Sequence, residues 1–272
     1  MTDSGRNSPN YASDYTMNNT IREQIQQKLD DLQQQKNCHL LLAVESGSRA
    51  WGYASTTSDY DVRCIYYYPQ ARYLSVRLPR DTVEWELNDV FDINGWDLRK
   101  ALGLALKSNL TVYEWADSPV VYRTSPWHEE FRSVLRAVLR PRALASRYLG
   151  MAAGTIHRYL MREEVPYKQY FYALRPLLAA RWAMQERKPA PVPFADLRHL
   201  LPDEMQAVTD ELLVLRNSSS EKAVGPAHPA ADAFIARELA ELDAMLADMP
   251  VEPEPDTAPL DDFFRRVVAN PS

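Results

Sequence analysis

The sequence predicts an α/β architecture, a sheet with helices in its first half followed by an α-helical bundle. Three observations carry that prediction. Short apolar runs rich in β-branched and aromatic residues are confined to the N-terminal part of the chain. From about residue 141 onward the apolar residues recur with a helical period instead, and Pro-rich breaks separate the long Ala- and Leu-rich segments.

Taken in order, residues 1–17 are rich in Ser, Asn, Asp and Tyr without a hydrophobic period and read as a flexible tail. Thr20 with Glu23 forms a capping box, and Ile21, Ile25, Leu29 and Leu32 follow at helical spacing, so a first helix ends near Gln35. His39 to Val44 is a short apolar run, read as a buried strand that stops at Gly47-Ser48. A second strand runs from about Asp59 to Tyr68 and is closed by Pro69; Thr82 to Leu87 and Asp89 to Ile93 are two more. Leu98, Ala101, Leu102 and Ala105 then form a helical stripe, with a shorter helix at Thr111 to Ala116 and a turn at Ser118-Pro119.

The first domain, residues 18–140, is expected to close at Arg140-Pro141. A helical domain over 141–248 follows, built from segments near 142–164, 166–186, 203–216 and 229–247. Residues 249–272 read as an acidic, Pro-rich link and a short last helix near Leu260 to Val268.

At 272 residues the chain is long enough to bury a sizeable core, and two domains is the expected count. Its 46% apolar and 25% charged residues are those of an ordinary globular protein. No run approaches the apolar length of a membrane helix and the polar N-terminus lacks a signal peptide's pattern, so a cytoplasmic location without membrane contact is expected. The net charge of −6 argues against broad electrostatic wrapping of nucleic acid but leaves room for a local basic cleft. Cys38 and Cys64 lie inside apolar strand-like runs and are expected to be buried free thiols.

The chemistry is concentrated in Glu45 to Tyr68, where Gly47-Ser48 is followed after ten residues by Asp59-Tyr60-Asp61 and an apolar strand. Gly47 lets backbone approach a ligand, and a helix starting after Ser48 would point free N–H groups at an anion, for which a triphosphate is the natural candidate. Residues two apart on a strand share a face, so Asp59 and Asp61 project together while Tyr60 and Val62 face the core. Two close carboxylates repel unless a cation lies between them, and a small set of hard oxygen ligands suits Mg²⁺ or Mn²⁺. A polar strand end closing the Ser55-Thr56-Thr57 loop is the competing reading, and it leaves that repulsion unexplained.

Two-metal phosphoryl transfer needs one more carboxylate. Asp92 fits, because Phe91 and Ile93 can face the core while Asp92 faces a cleft next to Asn94-Gly95, where the strand is expected to end. Asp97 reads instead as a first-turn residue of the next helix, with Lys100 as its ion-pair partner, and Asp89 and Glu86 are weaker candidates.

Three stretches taken together carry a family resemblance: ESGSRAWGYASTTSDYDVRCIYYY (Glu45 to Tyr68), DINGWDLRKALGLALKSNLTVYEWADSP (Asp92 to Pro119) and KQYFYALRPLLAARW (Lys168 to Trp182). Their order resembles the DNA polymerase β nucleotidyltransferase superfamily and, more narrowly, the RlaP family associated with RNA repair. The resemblance implies a mixed sheet of about five strands with helices on one face. It also implies that Ser48 contacts a triphosphate and that Asp59, Asp61 and Asp92 ligate two divalent ions.

Lys168, Tyr172 and Arg175 fall at i, i+4 and i+7 and share a helical face, while Phe171, Leu174 and Leu178 lie on another. They are candidates to grip an NTP, by charge, stacking and a guanidinium fork respectively, against the plainer reading of a solvated face. Pro176 would kink this helix and aim Arg175 at a cleft. Arg49, Trp51 and Tyr53, just after Ser48, are placed to meet nucleotide, although Trp51 equally suits packing, and Trp96 and Trp115 read as core aromatics. Arg132, Arg136 and Arg140 form a helical stripe read as a solvated face, with reception of RNA phosphates as the sharper alternative.

The expectation is therefore transfer of a nucleoside monophosphate from an NTP to an acceptor hydroxyl, an RNA 3′ end first. The competing readings are a protein side chain as acceptor and a catalytically idle nucleotide-binding scaffold.

Overall fold

A computed structural model describes residues 19–55, 58–217 and 223–270; the expected N-terminal tail and Thr56-Thr57 of the loop lie outside the described residues. The first helix, α1 (Asn19–Lys36), buries Ile25, Leu29 and Leu32, the stripe that its periodicity requires. Strand β1 (His39–Glu45) follows, then the single-turn α2 (Gly47–Trp51), β2 (Tyr60–Tyr67) and a short α3 (Gln70–Tyr73). Next come β3 (Thr82–Leu87), β4 (Phe91–Asp97), α4 (Leu98–Ala105), α5 (Leu110–Ala116), β5 (Val121–Thr124) and α6 (His128–Ala137).

Pro141 occupies the first turn of α7 (Pro141–Thr155), where its missing N–H costs nothing, and α7 runs on into a π-helical turn over Ile156–Leu160. The remainder comprises β6 (Glu164–Pro166), α8 (Lys168–Glu186), α9 (Phe194–Leu197), α10 (Asp203–Asn217), β7 (Val224–Pro226), α11 (Pro229–Asp248) and α12 (Ala258–Ala269).

The five-stranded sheet has the order β3-β4-β2-β1-β5, with β2 and β4 parallel and the other neighbours antiparallel. A separate two-stranded ribbon pairs β6 with β7. Strand parity sorts the side chains between two cores. Val62, Cys64 and Tyr66 of β2 and Phe91 and Ile93 of β4 pack with Ile25, Leu29 and Leu32 of α1. Ile65 and Tyr67 face the other way, into a core shared with α4 to α8, α11 and α12. Both cysteines are free thiols within the α1-side core.

Three differences from the sequence reading have physical reasons. The sheet is covered on both faces, since the apolar stripe of α1 is laid on the face opposite the other helices. Strand β4 does not end at Asn94-Gly95 but runs to Asp97, because Gly95 sits directly opposite Cys64 and lets the two strands lie close. Strand β5 is too short for a period to reveal it, and it exists because the edge of β1 supplies its hydrogen-bond partners.

Asp97 caps α4, accepting the Arg99 N–H at 2.9 Å. Lys100 pairs with Asp81 at 3.4 Å and not with Asp97. Trp96 and Trp115 pack ring on ring, 4.1 Å between centroids.

Candidate active site

Where β1 ends, the chain turns back through Ser46 and Gly47 into α2. Gly47 has φ of +60°, a left-handed conformation that favours glycine, and a Cβ there would lie 2.3 Å from Asp61 Oδ2. Backbone and carboxylate are thus in direct apposition. The Ser46 N–H donates to the Asp61 carbonyl at 2.9 Å.

Glu45, fully buried, ties the same corner together: Oε1 accepts the Asp61 N–H at 2.9 Å and Oε2 accepts a short hydrogen bond from the Tyr122 hydroxyl. The Ser118 hydroxyl donates to the Glu45 carbonyl at 2.6 Å. Burial pushes the Glu45 carboxyl up to about 7, against the opposing pull of the Tyr122 hydroxyl and the Asp61 amide.

The parallel register of β2 and β4 sets Asp61 beside Asp92 and Arg63 beside Asn94, all on the face away from α1. Arg63 lies between the two carboxylates. Its Nη2 donates to Asp61 Oδ1 at 2.6 Å and to Asp92 Oδ2 at 2.7 Å, and its Nη1 donates to the Asp92 carbonyl at 2.7 Å. Asn94 Nδ2 donates to Asp92 Oδ1 at 3.2 Å. Burial raises the Asp61 carboxyl above the usual range; the Arg63 charge opposes this, and Asp59 and Asp92 add to it.

Asp59 stands just before β2 and is exposed. Its carbonyl accepts from Arg49 Nε at 3.0 Å, while Arg49 Nη2 reaches the Ser58 carbonyl at 2.5 Å and the guanidinium stacks 3.9 Å over the Tyr60 ring. Arg49 therefore braces the loop that delivers Asp59. Ser48 is nearly buried within α2.

Asp59 and Asp92 both lie near enough to Asp61 for their charges to act on its carboxyl. Among the described residues no group of three or more His, Cys, Asp or Glu lies together as a metal site. The pair that does meet is Asp61 and Asp92, about one-quarter exposed at 24% and 25%. Two hard carboxylates, with water and substrate phosphate completing the shell, are a donor set that suits Mg²⁺. The position between them already attracts a cation, since the Arg63 guanidinium stands there, so the residues present fit a divalent ion.

On the other side of α2, Trp51 meets Tyr172 edge to face at 5.2 Å and donates from Nε1 to Glu114 at 3.3 Å. Tyr53 is buried against Phe171 and Phe194. Half-buried Tyr172 thus lies alongside the α2 turn, and Lys168 stands one turn before it at the start of α8.

Arg175 lies behind them, its guanidinium 4.8 Å over the Trp51 ring but sealed in the core. It is 1% exposed, its Nη1 donates to Glu114 Oε1 at 2.7 Å and its Nε to the Val192 carbonyl at 2.9 Å. The shared helical face implied by spacing does not make a shared solvent face, because α8 is enclosed on nearly every side beyond its first turn. Arg175 is a core residue and has no access to a phosphate. The Arg stripe is also committed: Arg132 and Arg136 both pair with Asp117, at 2.6 and 3.2 Å, and Arg140 with Glu254 at 2.8 Å.

Two residues at this corner went unassigned from sequence. Arg63 carries a readable signal, since it shares strand parity with Asp61. Glu45 carries none, because only the fold shows what surrounds it.

The profile of the family described as "RlaP: RNA repair pathway DNA polymerase beta family" matches residues 21–266. The chain is 37% identical over 204 residues to a Bacillus subtilis (strain 168) protein described as "Uncharacterized protein YcgL", covering 74% of this chain and 78% of that one. A nucleotidyltransferase-like protein of known crystal structure from Exiguobacterium sibiricum 255-15 shares 12% identity at a TM-score of 0.31, over 84% of this chain and 73% of that one.

Proposed function

Since this chain belongs to the RNA repair pathway DNA polymerase β family, and is a nucleotidyltransferase of that type, we propose that it transfers a nucleoside monophosphate from an NTP to an RNA 3′ hydroxyl and releases pyrophosphate. The observation that carries the reading is the apposition of Asp61 and Asp92 on adjacent parallel strands, beside a glycine turn with no side chain to obstruct a phosphate.

Asp61 and Asp92 would hold a divalent cation, with exposed Asp59 reaching it from the loop. When bound, that ion supplies Lewis acidity at the α-phosphate and lowers the pKa of the acceptor hydroxyl. Ser48 and the Gly47 turn would receive the triphosphate, Lys168 its charge, and Tyr172 offers a ring edge for the nucleoside. The acceptor hydroxyl gives its proton to solvent as its oxygen bonds to the α-phosphorus, the α–β bridging bond breaks, and pyrophosphate leaves with the bridging oxygen and its negative charge. Glu45 holds the Asp61 backbone through its amide and so positions the carboxylate without touching substrate.

The test is incubation with each α-labelled NTP, Mg²⁺ or Mn²⁺ and total RNA. Label is expected in RNA with matching pyrophosphate release, both falling to background in Asp61→Asn/Asp92→Asn. Label on protein in place of RNA would replace the acceptor proposed here, and release untouched by the double substitution would remove the site.

A further inference from the structure

We propose that Arg63 is a built-in counter-cation for the Asp61–Asp92 pair and competes with divalent metal for it, so that metal enters only as the guanidinium leaves. The inference rests on reading that pair as the metal site.

The geometry leaves one place for two cations. Asp61 Oδ2 lies against Gly47 and Asp92 Oδ1 accepts from Asn94, so the oxygens that face each other across the strands are Asp61 Oδ1 and Asp92 Oδ2. Arg63 Nη2 takes both, at 2.6 and 2.7 Å. A divalent ion held by both carboxylates would draw on the same two facing oxygens, and it would be repelled by a guanidinium left beside it.

Arg63 cannot yield by losing its proton, because a guanidinium stays charged at any pH the protein tolerates. It has to move. Its side chain is only 13% exposed, and Nη1 is anchored to the Asp92 carbonyl at 2.7 Å and to the Val62 carbonyl at 3.2 Å. These contacts hold it in the site in the absence of metal and set the strength of the competition. The consequence is a weak metal affinity in the free protein that reflects displacement of Arg63 and not a poor ligand set.

Mn²⁺ binding to the full chain, read from the electron paramagnetic resonance of the free ion, separates the outcomes. Arg63→Met is expected to bind Mn²⁺ at least about tenfold more tightly than wild type, equivalent to about 1.4 kcal/mol, with Arg63→Lys between them and Asp92→Asn binding none. Equal or weaker binding by Arg63→Met, with Asp92→Asn still abolishing it, overturns the competition and leaves the metal site standing. Absence of binding in wild type and Arg63→Met alike overturns both.

Should Arg63→Met fail to fold, the wild type carries the test through the Arg63 guanidinium N–H signals, which its hydrogen bonds to Asp61 and Asp92 should protect from exchange. These are expected to disappear as Mg²⁺ is titrated, and their persistence at saturating Mg²⁺ overturns the proposal.

Discussion

At Glu45, burial and hydrogen bonding pull in opposite directions, and burial wins, raising the carboxyl from 4.5 to about 7. The folded chain therefore keeps a proton that the unfolded chain releases between these two values. Stability falls as pH rises through that window and levels off above it, by on the order of 3 kcal/mol. Glu45→Gln preserves the acceptor for the Asp61 amide and removes the titration. Melting temperatures from pH 4.5 to 8 should decline more steeply for wild type than for the variant, and parallel curves would refute the assignment. Arg175 shows the opposite relation between position and role: a cation read from its helical register as a phosphate ligand is spent inside the core on Glu114. Residue type told which chemistry was on hand at these positions, and only the neighbours told whether it faced substrate.

The strands show how far a two-residue period carries. Alternation alone separated Asp61 from Val62 and Asp92 from Ile93, and both pairs do divide between opposite faces of the sheet. What alternation could not supply was the neighbour relation, that β2 and β4 lie side by side and parallel with Asp61 in register with Asp92. Gly95 maintains that closeness. A Cβ there would meet Cys64 Sγ at 2.2 Å and the Cys64 carbonyl oxygen at 2.6 Å. Gly95→Ala should cost about 1–3 kcal/mol by overpacking and lower activity by parting the two carboxylates. Adding Cys64→Ala should restore only part of the stability, since the backbone oxygen remains, and urea midpoints of the single and double variants read this directly. Full recovery in the double variant would assign the clash to sulfur alone.

Across the whole molecule, the last helix returns to the first half of the chain. Leu260, Phe263, Val267 and Val268 of α12 are buried, Phe263 lies 6.1 Å from Phe131 of α6, and Phe264 lies 5.0 Å from Tyr73 of α3. Arg266 forms an ion pair with Glu130, exposed enough to add little. Tyr73 in turn donates to Asp97, the cap of α4, at 2.7 Å. Each buried apolar side chain is worth roughly 1.5–3 kcal/mol before ordering costs, so ending the chain at Thr257 should lower the urea midpoint by the equivalent of several kcal/mol and uncover Phe131. Loss of stability confined to a local, non-cooperative transition would show that α12 is an appendage.

By itself the sequence determined the elements with a long period, the parity of the strands, and the presence of Gly47, Asp59, Asp61 and Asp92 in an order that resembles a nucleotidyltransferase. These are local properties, set by spacing along the chain. Tertiary structure decided which carboxylates meet, that Arg63 stands between Asp61 and Asp92, that Glu45 is buried beneath them, and that Arg175 faces Glu114 instead of solvent. Those outcomes depend on strand order and helix packing, and apart from the Arg63–Asp61 contact, which strand parity allows, they join residues whose separation in sequence carries no record of their contact.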